Sequence, residues 1–354
     1  MKPIIIISLL LIGIETNAQS LIDKEIDSIA SEALTEGVYY CQEDALLYAG
    51  VLVMEVATGN VVADVSLFYK DGEFIKNPYG NMQPVPSGLG LSVLYLAMMP
   101  QADPSMVIDT GDGMYIDSYG YTITDHNHKR GGYGMMDLKH SYIRNSDIGM
   151  LKAAETVFGR DMKKLSEAMK GTAISMGGRV TTGYGVNWQS YDVLGYSTSM
   201  SLLQQVCWIN AVAGGKLLVR TDEKDTTTPY DTINHSEALD SLRSAMRETV
   251  TNGMGRIMNS EYVSVAGMKI VSQENADGYR GQFAAAYFPY EKPEYTIGVY
   301  ILRKGNKGSA NPSYVAKNII DWMAFNKLTT NPFMISTNDL DVTHGSDWLH
   351  PAAR

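Results

Sequence analysis

Hydrophobic and polar positions along the chain follow two periods, and the switch between them marks out its elements. Over residues 21–34 the apolar positions Ile22, Ile26, Ile29 and Ala33 share one face of a helix that Ser20 can cap. Two extended runs follow, over 50–56 and 60–65, and Ala57-Thr58-Gly59 joins them as a hairpin. The stiff turn Pro84-Val85-Pro86-Ser87-Gly88 leads into an apolar helix over 89–99. From about 100 to 250 the spacing is mostly helical, broken by glycine-rich loops. It predicts helices over 147–158, 162–169, 201–212 and 236–250, the last with Leu239, Leu242, Met246 and Val250 on one face. Runs over 263–271, 282–288 and 295–302 then read as consecutive antiparallel strands. Gly267 lies inside the first of these and marks a close approach of another backbone or a ligand. Pro312 opens a last helix, reaching Lys327, with Val315, Ile319 and Met323 facing inward.

Strands at both ends with helices between them predict an α/β (α+β) fold. One antiparallel sheet is built from both chain ends, the terminal helices cover one of its faces, and a central helical lobe covers the other. A cleft between the two is where a ligand is expected. Gly267 and its neighbours are the first place to look for it.

Composition narrows the function. The 354 residues, 45% of them hydrophobic, are enough for one sizeable core. The net charge of −10 argues against nucleic acid or an anionic membrane as partner. The chain opens with Lys2, an apolar run over 4–14, and Thr16-Asn17-Ala18. That run is too short to span a bilayer and reads as a cleavable export signal over 1–18, cut near Ala18. The expected product begins near Gln19, is periplasmic or secreted, and is not an integral membrane protein. A folded domain over 19–328 and a polar tail over 329–354 complete the expected organisation. Two cysteines, Cys41 and Cys207, could pair in an oxidising compartment, although Cys207 lies in an apolar run suited to a buried thiol. Asp125-His126-Asn127-His128 holds a His-x-His without a clear third ligand, which reads as a solvated loop before it reads as a zinc site. No metal and no cofactor is expected.

Several segments, in order, resemble the transpeptidase domain of class B penicillin-binding proteins. The hairpin from Gly50 to Ala63 with its Thr-Gly turn resembles that domain's first two strands. Pro86-Ser87 before an apolar helix resembles the segment of the serine nucleophile, and Asn145-Ser146-Asp147 that of the second motif. Gly183-Tyr184-Gly185 and the stretch from Gly195 to Gln204 resemble the glycine-rich loop and the helix after it, and Asn210 to Leu217 resembles the next turn. Gly267-Met268-Lys269-Ile270 with the next strand resembles the third motif. The likeness runs over about 50–322, and no stretch of the sequence resembles the membrane anchor and pedestal domain of such proteins.

The resemblance implies a serine that attacks a D-alanyl-D-alanine carbonyl, and a lysine three residues on, one helical turn away, that takes its proton. Here Gly90 stands three residues after Ser87; shifting the register by one pairs Pro86 with Leu89, and no Ser-x-x-Lys occurs anywhere. In the Ser-x-Asn motif, Asn145 replaces the serine and Asp147 the asparagine, and Asp147 also reads as the N-cap of the helix after it. In Lys-Thr-Gly, which binds the substrate carboxylate, the lysine position holds Met268, with Lys269 one place late. Strand side chains alternate, so Lys269 is expected to face away from the cleft unless a bulge at Gly267 turns it back.

Loss at all three motifs together implies a catalytically inactive relative with a binding or scaffolding role in the cell envelope. Peptidoglycan stem peptides and cell-wall synthesis proteins are the implied partners. The alternative is a divergent active D,D-transpeptidase or carboxypeptidase using Ser87, with Lys129, His126 or His128 supplying the base. A non-covalent sensor of wall fragments would share the same fold.

Overall fold

The computed structural model describes residues 4–39, 46–170, 172, 187–220, 227–232, 236–272, 278–304 and 310–326, with side chains described from residue 22 onward except over 216–236. Cys41, the Gly183-Tyr184-Gly185 loop and the tail over 329–354 lie outside the described residues, as do the side chains of the expected signal.

Helix α1 spans Ile4–Tyr39 and leads to strands β1 (Leu46–Glu55), β2 (Val61–Lys70) and β3 (Glu73–Lys76). Short β4 (Pro84–Pro86) precedes α2 (Gly90–Met98). The small strands β5 (Val107–Asp109), β6 (Met114–Ile116), β7 (Thr122–Thr124) and β8 (Met135–Asp137) follow. Then come α3 (Leu138–Ile143), α4 (Asp147–Phe158), α5 (Met162–Lys170) and α6 (Ser190–Val193). Strand β9 (Ser199–Ser201) and α7 (Leu202–Gly214) lead to the hairpin β10 (Lys216–Arg220) and β11 (Thr227–Thr232), and α8 (Ser236–Thr251) follows. The chain returns to the sheet through β12 (Ala266–Val271), β13 (Tyr279–Phe288) and β14 (Tyr295–Lys304), and α9 (Pro312–Phe325) closes it.

The main sheet has six strands in the order β12-β13-β14-β1-β2-β3, antiparallel throughout, so β14 pairs with β1 and joins the two chain ends. The sequence periodicity placed five of these strands; β3 carries a weak pattern and was not predicted. Period-two alternation splits the sheet's side chains between two cores. Val51, Val53, Ala284, Ala286, Ile297 and Val299 face α1 and α9, where they meet Ile26, Leu34, Ile319 and Met323. Leu52, Met268, Phe283, Tyr287 and Tyr300 face the helical lobe, where they join Leu94, Tyr142, Trp208 and Met246. Helix α2 is buried from Leu91 through Met98, apolar on every side except for Ser92 and the Tyr95 hydroxyl. It is the central helix of the lobe, as all-round hydrophobicity requires. Two ends of one chain and a lobe between them thus enclose the predicted cleft region, bounded by the N-terminus of α2, the α3–α4 turn and the free edge of β12.

Candidate functional site: a transpeptidase-like cleft

Ser87 sits between β4 and α2. Its N–H donates to the Thr198 carbonyl at 2.8 Å, an extension of the β4–β9 pairing. Its hydroxyl accepts from Leu89 N–H at 3.2 Å and faces the Met200 sulfur at 3.6 Å. Gly88 N–H donates to Gln205 Oε1 at 2.8 Å. The Ser87 hydroxyl is therefore held in a local turn onto Leu89, beside a thioether. Lys129 makes no bond to it, and neither does His126 or His128. His126 Nε2 pairs with the Tyr133 hydroxyl at 2.9 Å, and His128 Nδ1 with the Asp125 carbonyl at 2.9 Å.

Gly90, at the position of the missing base, is pressed against the turn after α6. A Cβ there would lie 2.1 Å from the Leu194 carbonyl oxygen, and one on Gly195 would lie 2.7 Å from the Gly90 Cα. Two backbones meet where a lysine stem would need room. Gly195 holds a positive φ of 81°, which lets the turn come this close.

Strand β12 forms the opposite wall. Its ladder with β13 runs without a register shift from Ala266–Tyr287 to Val271–Gln282, so no bulge turns Lys269. Met268 lies with Ala266 and Ile270 on the lobe side, buried, and its sulfur accepts from the Ser92 hydroxyl at 3.1 Å. Ser92 also bonds the Tyr142 hydroxyl at 2.8 Å, and burial pushes that phenol's pKa well up. Lys269 falls on the other face, half-buried, and desolvation lowers its pKa. The close approach at Gly267 is that of β13, since a Cβ there would meet the Ala285 carbonyl at 2.4 Å.

The α3–α4 turn reaches the edge of β12. Asn145, in the left-handed region at φ 50°, donates from its amide to the Lys269 carbonyl on the free edge of β12. A backbone acceptor that an incoming extended peptide would use is thereby occupied. Asp147 does not cap α4. Ser146 does, accepting from Gly149 N–H at 2.9 Å, and Asp147 is the first helical residue. Ser146, in extended backbone, holds the cap position, so Asp147 falls inside the first turn, half-buried. There its carboxylate accepts from the Tyr196 hydroxyl, and burial, the largest cause, raises its pKa to about 7. Asp125 lies close enough to add to that rise. Its own carboxyl is also raised by burial while it accepts from Ser146 Oγ at 2.6 Å and Ile148 N–H at 3.2 Å.

The structure thus brings Asn145 to Lys269 and Met268 to Ser92, and leaves Ser87 apart at Met200. Ser92, Tyr142, Leu194 and Tyr196 had no signal in the sequence as site residues, because each acts through a partner distant in the chain. Cys207 is a buried free thiol with its pKa pushed up to about 12. Among the described residues no cluster of three metal-ligating side chains occurs, and no helix is long and apolar enough to cross a membrane.

No protein-family model matches the chain, and no curated protein matches it in sequence. Solved structures do. The apo TP domain of penicillin-binding protein 3 from Burkholderia pseudomallei is 17% identical, with 88% of this chain and 97% of that one covered and a TM-score of 0.65. Penicillin-binding protein 2B from Streptococcus pneumoniae is 14% identical over 87% of this chain and 59% of its own, at 0.69. The D,D-transpeptidase domain of a peptidoglycan glycosyltransferase from Eggerthella lenta is 12% identical over 85% and 82%, at 0.63. The chain has the transpeptidase fold of penicillin-binding proteins.

Proposed function

We propose that this transpeptidase-fold protein belongs to the cell envelope and acts by binding rather than by acyl-serine chemistry. Peptidoglycan stem peptides or proteins of cell-wall synthesis are its partners in this reading. The observation that carries it is the contact of Gly90 with the Leu194 carbonyl. In the resembled family the base that activates the serine stands one helical turn on, and here that space is filled by backbone. Two further features support it: Met268 in place of a cation, and Asn145 on the free edge of β12. The apolar run over 4–14 followed by Thr16-Asn17-Ala18 supports export, and the names of the structural neighbours tie those proteins to peptidoglycan.

The test is incubation of the chain from Gln19 onward with a fluorescent penicillin, beside Ser87→Ala. Neither is expected to carry a covalent adduct after denaturing electrophoresis. Isolated muropeptides are expected to bind saturably and to be recovered unchanged. An adduct on the natural sequence that disappears in Ser87→Ala would show that Ser87 is acylated and overturn the inactive reading.

A further inference from the structure

Next to the α3–α4 turn lies an open concavity of about 330 Å³ lined by Tyr133, Met135, Met136, Asp137, His140 and Arg144. None of the three motif segments except the neighbourhood of Asn145 borders it, and Ser87 and β12 do not line it. Its lining comes from β8, the residue Tyr133 before it and helix α3 with its C-terminal cap, and Asp137 caps that helix by accepting from His140 N–H at 2.7 Å.

The wall chemistry is uneven. Asp137 is already engaged, holding His140 Nδ1 at 2.8 Å. Arg144 is half-buried, and among the described residues its guanidinium has no carboxylate or hydrogen-bond partner. Arg130 is likewise unpaired among the described residues, and both arginines lie close enough to His126 to oppose its protonation. Tyr133, on the same wall, is held by its bond to His126 at 2.9 Å and by ring contact with that imidazole at 5.6 Å. A guanidinium without an acceptor, in a chain of net charge −10, is a local positive charge that favours an anion. The apolar part of the rim is Met135, 66% exposed, with the thioether flexibility that suits a small apolar group.

From this juxtaposition we infer that the concavity is a second ligand site, which takes a small monoanionic carboxylate carried on an apolar body, such as a peptide C-terminus. Arg144 holds the carboxylate through paired N–H donors, and the Met135 and Met136 side chains pack on the attached group. The Asp137 carboxylate on the same wall selects against a dianion, since like charges repel at short range. The site does not depend on whether Ser87 is reactive.

The experiment is a titration of the full chain at low ionic strength, followed by the methionine methyl resonances, with N-acetyl-L-alanine, its uncharged amide and inorganic phosphate as probes. N-acetyl-L-alanine is expected to shift the Met135 and Met136 methyls saturably, the amide to leave them in place, and phosphate not to compete. In Arg144→Gln the affinity is expected to fall about tenfold or more, the loss of a charge-assisted bond, while the other methionine methyls report an unchanged fold. Equal shifts by acid and amide, an unchanged affinity in Arg144→Gln, preferential binding of phosphate, or no shift at all would each overturn the site. The acid–amide comparison needs no variant and stands even if Arg144→Gln folds poorly.

Discussion

At the scale of single residues, Asp147 is the most informative position. It stands where the resembled motif has asparagine, and it is half-buried against Tyr196, with desolvation raising its pKa to about 7. A carboxyl whose folded pKa lies above its unfolded value keeps its proton in the fold while the unfolded chain gives it up. The unfolded state then binds fewer protons, so stability is full below about pH 4 and is lost as pH rises toward 7. Asp147→Asn removes this loss and still offers an oxygen to Tyr196. It is expected to raise stability at pH 8 by about 2–4 kcal/mol and to flatten the dependence between pH 4 and 7. Urea unfolding at pH 4, 6 and 8 measures both; a slope unchanged by the substitution would show that Asp125, not Asp147, carries the titration. The sequence revealed the replacement of asparagine but not its consequence. The N-cap reading of Asp147 was locally sound, and it failed because Ser146 one residue earlier does the capping.

At the scale of elements, α2 and β12 show how a motif is lost structurally as well as chemically. Supplying the missing lysine by Gly90→Lys is not expected to create a base. Its Cβ would meet the Leu194 carbonyl, so α2 or the turn after α6 must move. A loss of about 1–3 kcal/mol or more is expected, the cost of a side chain forced into packed backbone, with no gain in penicillin labelling. Chemical denaturation and the labelling assay check the two halves separately. Strand β12 was legible to within three residues at its start and matched at its end, since its alternation is local. The side on which Met268 and Lys269 fall was also legible, because an unbroken ladder leaves alternation in control. That Met268 contacts Ser92, and that Asn145 reaches the Lys269 carbonyl, was not legible.

At the scale of the whole molecule, the sheet joins strands from opposite chain ends through the β1–β14 ladder, which runs from Leu46–Arg303 to Glu55–Tyr295. Helix α9 packs on this junction together with α1, with Ile319 fully buried between them. Ile319→Ala is expected to cost about 2–5 kcal/mol and to lower amide protection in β1 and β13 together, since neither half of the sheet has its own core on that face. Hydrogen exchange that weakens β13 alone would show two independent halves instead.

Taken alone, the sequence determined the order and kind of the main elements, the assembly of the sheet from both ends, and the absence of a lysine one turn after Ser87. These rest on periodicity and on residue identity, which are local properties. Only the tertiary structure decided which residues of the motif segments meet. The Leu194 carbonyl against Gly90, the Asn145 amide on the Lys269 carbonyl and Tyr196 on Asp147 join segments far apart in the chain. Such contacts arise when the elements pack, so no local pattern of hydrophobic and polar positions records them.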